Sequence, residues 1–242
     1  MIRSPSTIWL TEVDSTNRFA LENFDCFDSG TLIAASSQSA GRGSKGRSWC
    51  SPPDVNVYAS LILKNFPCPV HLASRIGSLA VLHVLRTHAP GLPISVKWPN
   101  DVLCGRKKIA GILCETKNSG IVIGIGMNIN MDRETAAGIS RSATSLFIET
   151  GHLQPDVGVF ADELRIEANA LCRTLRDGGS RSIHEEWKSE NFLLGKQASI
   201  RLPEGVIVHG TVVDFRTNGA ILLKNGETGK TLEIHSGDLL GY

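Results

Sequence analysis

Pro52 and Pro53 constrain the fold of this chain more than any other pair of residues. They close a segment rich in Gly, Ser and cations, Gln38–Pro53, which follows the apolar run Thr31–Ser37 and contains Gly41-Arg42-Gly43-Ser44-Lys45-Gly46-Arg47-Ser48-Trp49. That stretch satisfies G-x-G-x-x-G after a strand. A dinucleotide-binding turn, however, works by placing a pyrophosphate at the N-terminus of a following helix. Trp49-Cys50-Ser51-Pro52-Pro53 does not continue as a long helix, because proline lacks the amide donor and its ring clashes with the preceding turn. A P-loop fails for the same reason, and Arg47 stands where that loop needs lysine. What remains is a backbone able to approach an anion, with Arg42, Lys45 and Arg47 close together. A solvated surface loop has the same composition, and the segment by itself supports both equally.

The elements around the loop are mixed. Ser15–Phe24 reads as a helix capped by Asp14 or Ser15, and Leu72–Arg86, Pro155–Leu175 and Ser182–Glu190 show helical spacing of apolar residues. Strands are expected at Val55–Leu63, Ile94–Lys97, Asp101–Cys104, Lys107–Glu115 and Ile121–Ile129, the last alternating apolar with small residues. After Gly195 the texture changes to short strands, Ala198–Leu202, Val206–Asp214, Ala220–Leu223 and Thr231–Ile234, separated by Pro203–Gly205, Asn218–Gly219 and Asn225–Gly226. The expectation is an α+β domain over residues 1–194 with a small β-barrel over 195–242.

Composition narrows the function. Of 242 residues, 25 are Lys or Arg and 24 are Asp or Glu, a net charge of +1. That balance excludes a protein whose main task is gripping a nucleic-acid backbone. The six cysteines form no C-x-x-C pair and no zinc spacing, the N-terminal residues contain no apolar signal region, and no stretch is long and apolar enough to span a bilayer. Reduced structural thiols and a cytoplasmic location are expected, with no membrane partner.

Four further segments mix polar groups with turns or strands. Asp14-Ser15-Thr16-Asn17 is either a helix cap or a ligand site. Lys97-Trp98-Pro99-Asn100-Asp101 joins two apolar strands. Lys108-Ile109-Ala110-Gly111-Ile112-Leu113 opens a strand with a lysine that elsewhere would snorkel at the surface. Gly124-Ile125-Gly126-Met127-Asn128 ends a buried strand in a way that a plain turn also explains. In this order and spacing, with Gln38-x-Ala40-Gly41-Arg42-Gly43 and Gly46-Arg47-x-Trp49, these segments resemble the biotin–protein ligases. The resemblance is dense from Glu12 to Asn130 and looser beyond.

The resemblance implies a central mixed sheet flanked by helices, with a small C-terminal SH3-like β-barrel. It implies that biotin and MgATP form biotinyl-5′-AMP and pyrophosphate, and that biotin then passes to a lysine of a biotin carboxyl carrier domain. Lys108 and Arg42 become the catalytic candidates. Ser15, Thr16, Asn17, Gln38, Arg42, Gly43, Ser44, Lys108 and Gly111 become the biotin contacts, and Arg47, Trp49, Asn100, Asp101 and Asn128 the ATP contacts, with Asp101 also the candidate Mg²⁺ ligand. Cations suit the chemistry, because a carboxylate attacking an α-phosphate brings anions together. The loop Gln38–Pro53 and the segment Met131–Thr144 are expected to order around the ligand.

Relatives that double as repressors carry an N-terminal DNA-binding domain, whereas the ligase motifs here start at Glu12, so no DNA partner is expected; a homodimer is allowed. Ser44 replaces an arginine usual in the family. Two rivals stay open. A lipoate–protein ligase shares the adenylation logic, though Ser15-Thr16-Asn17 and Gln38 favour a ureido ring. A non-catalytic nucleotide-binding regulator would use the C-terminal barrel as a contact.

Overall fold

The computed structural model describes residues 5–66, 68–139 and 142–242. Residues 140 and 141, inside the segment expected to order on binding, and residues 1–4 of the N-terminal stretch lie outside the described residues. Seven strands make the main sheet: β1 (Thr7–Val13), β2 (Leu32–Gln38), β3 (Val57–Leu63), β4 (Ile94–Lys97), β5 (Asp101–Cys104), β6 (Lys107–Lys117) and β7 (Gly120–Met127). Their order is β1-β2-β3-β7-β6-β5-β4, with β1 and β2 parallel and every other pair antiparallel.

The two faces of this sheet differ because side chains alternate along each strand. On one face Val57, Ala59, Leu61, Leu63, Ile121, Ile123 and Ile125 join the core under α2 (Val70–His88) and α5 (Val157–Arg176). On the other, Ile33, Ile62 and Val122 pack with Ala20 of the short α1 (Thr16–Glu22) and with Phe24 of the turn that follows it. Beyond that small cluster β7 carries Gly124 and Gly126, so this face of the sheet is bare there. A cavity lined by Gly124 and Gly126 lies over this area.

Two helices were not legible in the sequence, α3 (Arg133–Ala137) and α4 (Leu146–Thr150), each five residues long. Such short helices lack a full amphipathic period and depend on caps, here Asp132 accepting from Thr135 N and Ser145 accepting from Ile148 N. α6 (Ser180–Ser189) then leads into β8 (Gln197–Arg201), β9 (Ile207–Phe215), β10 (Ile221–Lys224), β11 (Thr231–Ile234) and β12 (Asp238–Gly241).

These last strands form one antiparallel sheet, β11-β10-β9-β8-β12, and no ladder joins its two edges among the described residues. The expected small barrel is therefore corrected to an open five-stranded sheet. The reason is packing: Ala198, Ile200, Val212, Phe215, Ile221, Leu223 and Ile234 are buried in the main core, so the sheet covers its apolar face against the rest of the chain instead of closing on itself. Phe215 meets Trp187 of α6 edge-on, with ring centroids 5.1 Å apart. Arg75 of α2, buried and stacked on Trp187 at 5.0 Å, donates to the carbonyls of Arg216 and Thr217. All six cysteines are free, and burial pushes the Cys172 thiol up to about 12.

Candidate active site

The turn from β1 into α1 places Ser15, Thr16 and Asn17, all buried, at one end of a cavity of about 440 Å³. Ser15 occupies the N-cap position but makes no side-chain capping bond, so the helix-cap explanation fails for its hydroxyl. Asp14 accepts from the Ser15 amide at 2.6 Å instead. Gln38 Oε1 accepts from both the amide and the hydroxyl of Thr16, and Gln38 Nε2 donates to Ser51 Oγ at 2.8 Å. Ser60, fully buried in β3, donates to Asn17 Oδ1 at 2.6 Å, and Asn17 Nδ2 donates to the Leu113 carbonyl and to Glu115. This end of the cavity is a dense polar network in an apolar sheet.

The glycine-rich segment folds as a tight hairpin over the opening. Arg42 bridges Ser48, the Gly43 amide donates to the Arg47 carbonyl at 2.7 Å, and the Trp49 amide donates to the Gly41 carbonyl at 2.8 Å. Arg42 Nη1 and Nη2 donate to the two carboxylate oxygens of Glu115 at 3.2 and 2.9 Å, closing the hairpin onto β6. Arg47 Nη2 donates to Ser44 Oγ at 2.6 Å.

Trp49 packs closely against the sheet because Gly126 and Gly111 put no side chain in its way. A Cβ on Gly126 would sit 2.3 Å from the indole, and one on Gly124 would sit 2.1 Å from Asn17 Oδ1. The small residues of β7 are thus a bed for Trp49 and Asn17. The indole Nε1 is buried and has no hydrogen-bond partner among the described residues.

Lys108 is not a snorkelling surface lysine. Its Nζ is 2.5 Å from Asp101 Oδ1 and 5.1 Å from the Trp49 ring centroid. The side chain is turned by a register shift in the β5–β6 ladder, and its backbone is held by Ser142 and Thr144, whose carbonyl and amide bond to Lys108 at 3.0 and 2.9 Å. Asn128 Nδ2 donates to the Thr144 carbonyl, and Asn100 Nδ2 to the Ile112 carbonyl, so both amides brace the cavity wall as well as lining it. The Trp98–Pro99 peptide between β4 and β5 is cis.

Ser15, Thr16, Asn17, Gln38, Arg42, Gly43, Ser44, Arg47, Trp49, Asn100, Lys108, Gly111 and Asn128 all line this one cavity. Asp101 does not; it lines a second cavity that shares Ser44, Arg47, Asn100, Ile112 and Leu113 with the first.

The model of the biotin/lipoate A/B protein ligase family matches residues 9–132, which contain every one of these side chains. The chain belongs to that family. It is 31% identical over 226 residues to a biotin–[acetyl-CoA-carboxylase] ligase of Paracoccus denitrificans, covering 89% of this chain and 92% of that one. The ligase of the same description from Mycobacterium tuberculosis is 29% identical over 216 residues, 87% of this chain and 79% of that one. Among solved structures, a biotin protein ligase from Aquifex aeolicus in complex with biotin and ATP superposes with a TM-score of 0.84 at 29% identity, covering 97% of both chains.

Within this family member, three site residues escaped the sequence reading. Glu115 shares a strand face with Gly111 and Leu113, a period-two signal that could have found it. Ser60 is the one small polar residue in the apolar run Val57–Leu63 and could have been singled out for that. Asp238, 3.6 Å from Arg47 and 2.8 Å from Lys45, had no signal, since it comes from β12 at the other end of the chain.

Proposed function

We propose that this protein is an ATP-dependent biotin–protein ligase. It condenses biotin with ATP to biotinyl-5′-AMP and pyrophosphate, then transfers the biotinyl group to a lysine of a biotin carboxyl carrier domain. The observation that carries the reading is the convergence of Lys108, Asn100, and Arg47 and Trp49 of the hairpin, three separate segments, on a cavity whose far end is the Thr16–Gln38–Asn17 network.

The polar far end takes the ureido ring, because a buried polar head group needs hydrogen-bond partners. Ser15, Thr16, Asn17 and Gln38 are already oriented by one another, so little ordering is required on binding. Arg42 and Gly43 close the hairpin above, and Gly111 leaves room at the sheet surface. Lys108 screens the repulsion between the biotin carboxylate and the α-phosphate and stabilises charge on the transferring group. Asp101 holds that ammonium at the boundary of the two cavities. Trp49 offers the adenine an aromatic face on the glycine bed, with Asn128 beside it, while Arg47 and Asn100 serve the phosphates.

Magnesium fits as an ion carried by the nucleotide. Asp101 offers one carboxylate, and among the described residues no cluster of three or more His, Cys, Asp or Glu is arranged to hold a metal. That donor set suits Mg²⁺ kept mainly by phosphates and water. In the transfer step the adenylate already carries an activated leaving group, and the protein has to position the acceptor lysine.

Residues 1–194 form the catalytic part and 195–242 the family's SH3-like module in this reading, joined at Gly195. Unpaired cysteines suit a reducing compartment such as the cytoplasm. Biotin- and ATP-dependent exchange of labelled pyrophosphate into ATP tests the assignment. Exchange with biotin and not with lipoate is expected; exchange with lipoate alone would identify a lipoate ligase, and no exchange with either would leave a nucleotide-binding regulator.

A further inference from the structure

The glycine-rich hairpin is held from two sides. Arg42 ties it to Glu115 within the main sheet, as described above. On the other side its tip reaches the C-terminal sheet: Lys45 Nζ lies 2.8 Å from Asp238 Oδ1 and donates to the Gly237 carbonyl at 2.9 Å, and Arg47 Nη1 is 3.6 Å from the same Asp238 oxygen. Lys45 adopts φ 59°, the left-handed region that a lysine enters only at a cost. That backbone conformation accompanies a side chain turned onto β12.

β12 is itself firmly seated. A Cβ on Gly237 would lie 2.5 Å from Ile200 and 2.9 Å from the Arg201 carbonyl, so the strand enters the sheet in close contact with β8. At its far end Tyr242 is stacked under Lys97, 4.4 Å from its ring, and under Arg106 at 5.3 Å. Its hydroxyl accepts from Lys97 Nζ at 3.3 Å. Lys97 leads directly into Trp98-Pro99-Asn100-Asp101. The strand therefore spans from the hairpin tip to the end of β4, from which the turn at Asn100 leads into Asp101 of β5. Ser44 and Arg47, at the hairpin tip, belong to the wall shared by the two cavities.

We infer that Asp238 is a positioning residue for the glycine-rich hairpin: through Lys45 and Arg47, β12 holds the hairpin closed at the boundary of the two cavities and so sets how long an adenylate stays enclosed. The hairpin restraint stands on the geometry alone; the adenylate part rests on the ligase reading. Asp238 touches the cations of the hairpin and acts on the reaction only through them.

The test uses the full chain with Asp238→Asn, Lys45→Ala and the double variant. Both side chains of the pair are partly exposed, at 46% and 38%, so the contact is screened and its loss has a modest effect. Hydrogen–deuterium exchange of the Gly41–Trp49 amides in the ligand-free protein should rise about two- to fivefold in Asp238→Asn at an unchanged melting temperature. The double variant should exchange only slightly faster than Lys45→Ala and well short of the sum of the two single effects, because the Lys45 contact is shared and the longer Arg47 contact is the further loss. Raising the salt should bring the natural protein toward the variant. Dissociation of preformed biotinyl-AMP should accelerate by a similar factor. Unchanged hairpin exchange, or additive effects in the double variant, would overturn the inference. Slower adenylate release would also overturn it, since the pair would then compete with the ligand. If no adenylate forms, the ligase reading fails, while the exchange measurement still decides the restraint.

Discussion

Replacing Gly126 by alanine adds one methyl group to the floor of the site, and its effect can be worked from the geometry. Gly126 is not among the positive-φ glycines, so its backbone accepts alanine without strain. The cost arises from contact. The new Cβ would lie 2.3 Å from Trp49 Cε2 and 2.5 Å from both Cζ2 and Nε1, about 1 Å or more inside ordinary van der Waals separation. β7 is paired on both sides, to β3 and β6, and cannot recede. The indole must lift. Overpacking of this kind costs about 1–3 kcal/mol. Trp49 sits on a surface hairpin, so we expect the cost to appear there and in nucleotide binding, with little change in the melting temperature. Expressed in ATP affinity, 1–3 kcal/mol is about 5- to 150-fold. The assay is the ATP dependence of biotin-driven pyrophosphate exchange for the natural protein, Gly126→Ala, Trp49→Ala and the double variant. Without the indole the three nearest atoms the methyl would strike are gone, so the double variant should come close to Trp49→Ala alone. Additive losses would refute the reasoning, as would a Gly126→Ala enzyme with unaltered ATP affinity.

Lys108→Ala should leave the fold nearly intact and slow biotinyl-AMP formation by about 100-fold or more, the usual loss for one preorganised charge; near-normal pyrophosphate exchange would return Lys108 to a structural role. Ser44→Arg should slow release of preformed biotinyl-AMP by about 10- to 150-fold, the value of a charge-assisted hydrogen bond; equal off-rates would mean the side chain at this position does not hold the adenylate. Tryptic cleavage at Arg42, Lys45 or Arg47 should fall when biotin and ATP are added, and unchanged cleavage would count against ligand-dependent ordering of the hairpin. His83 of α2 sits between Glu167 and Glu186 at 2.7 and 2.6 Å; burial alone would lower its pKa, but the two carboxylates outweigh it and hold the imidazole above its ordinary value. Its stabilising contribution is therefore full below about pH 6.5 and is lost as pH rises through the raised value. The stability gap between the natural protein and His83→Gln should shrink across that rise, and a gap that widened instead would reverse the sign of the linkage.

Much of the site was legible because its residues lie in short contiguous motifs. The glycines of β7 alternate with isoleucines, and that alternation already separates a core face from a bare face. Pro52 and Pro53 excluded a helix after the glycine-rich loop, which left a hairpin free to fold back over the sheet. Lys108 and Gly111 were visible as a pattern, yet nothing local distinguished a lysine held in the cavity from a surface one. That distinction needed Asp101, which the β5–β6 pairing brings to 2.5 Å, and the backbone support of Ser142 and Thr144 from a later segment.

Local periodicity and turn chemistry act over a few residues, so the sequence by itself determined most of the strands though not β12, the long helices, the exclusion of a phosphate-binding helix and the identity of most cavity residues. Tertiary structure alone decided which charges meet. Glu115 is paired with Arg42 by sheet register, and Asp238 reaches Lys45 and Arg47 across the whole length of the chain. It also decided that the C-terminal strands stay open, because their apolar face finds cover on Trp187 and the main core, a partner that no periodicity within those strands could reveal.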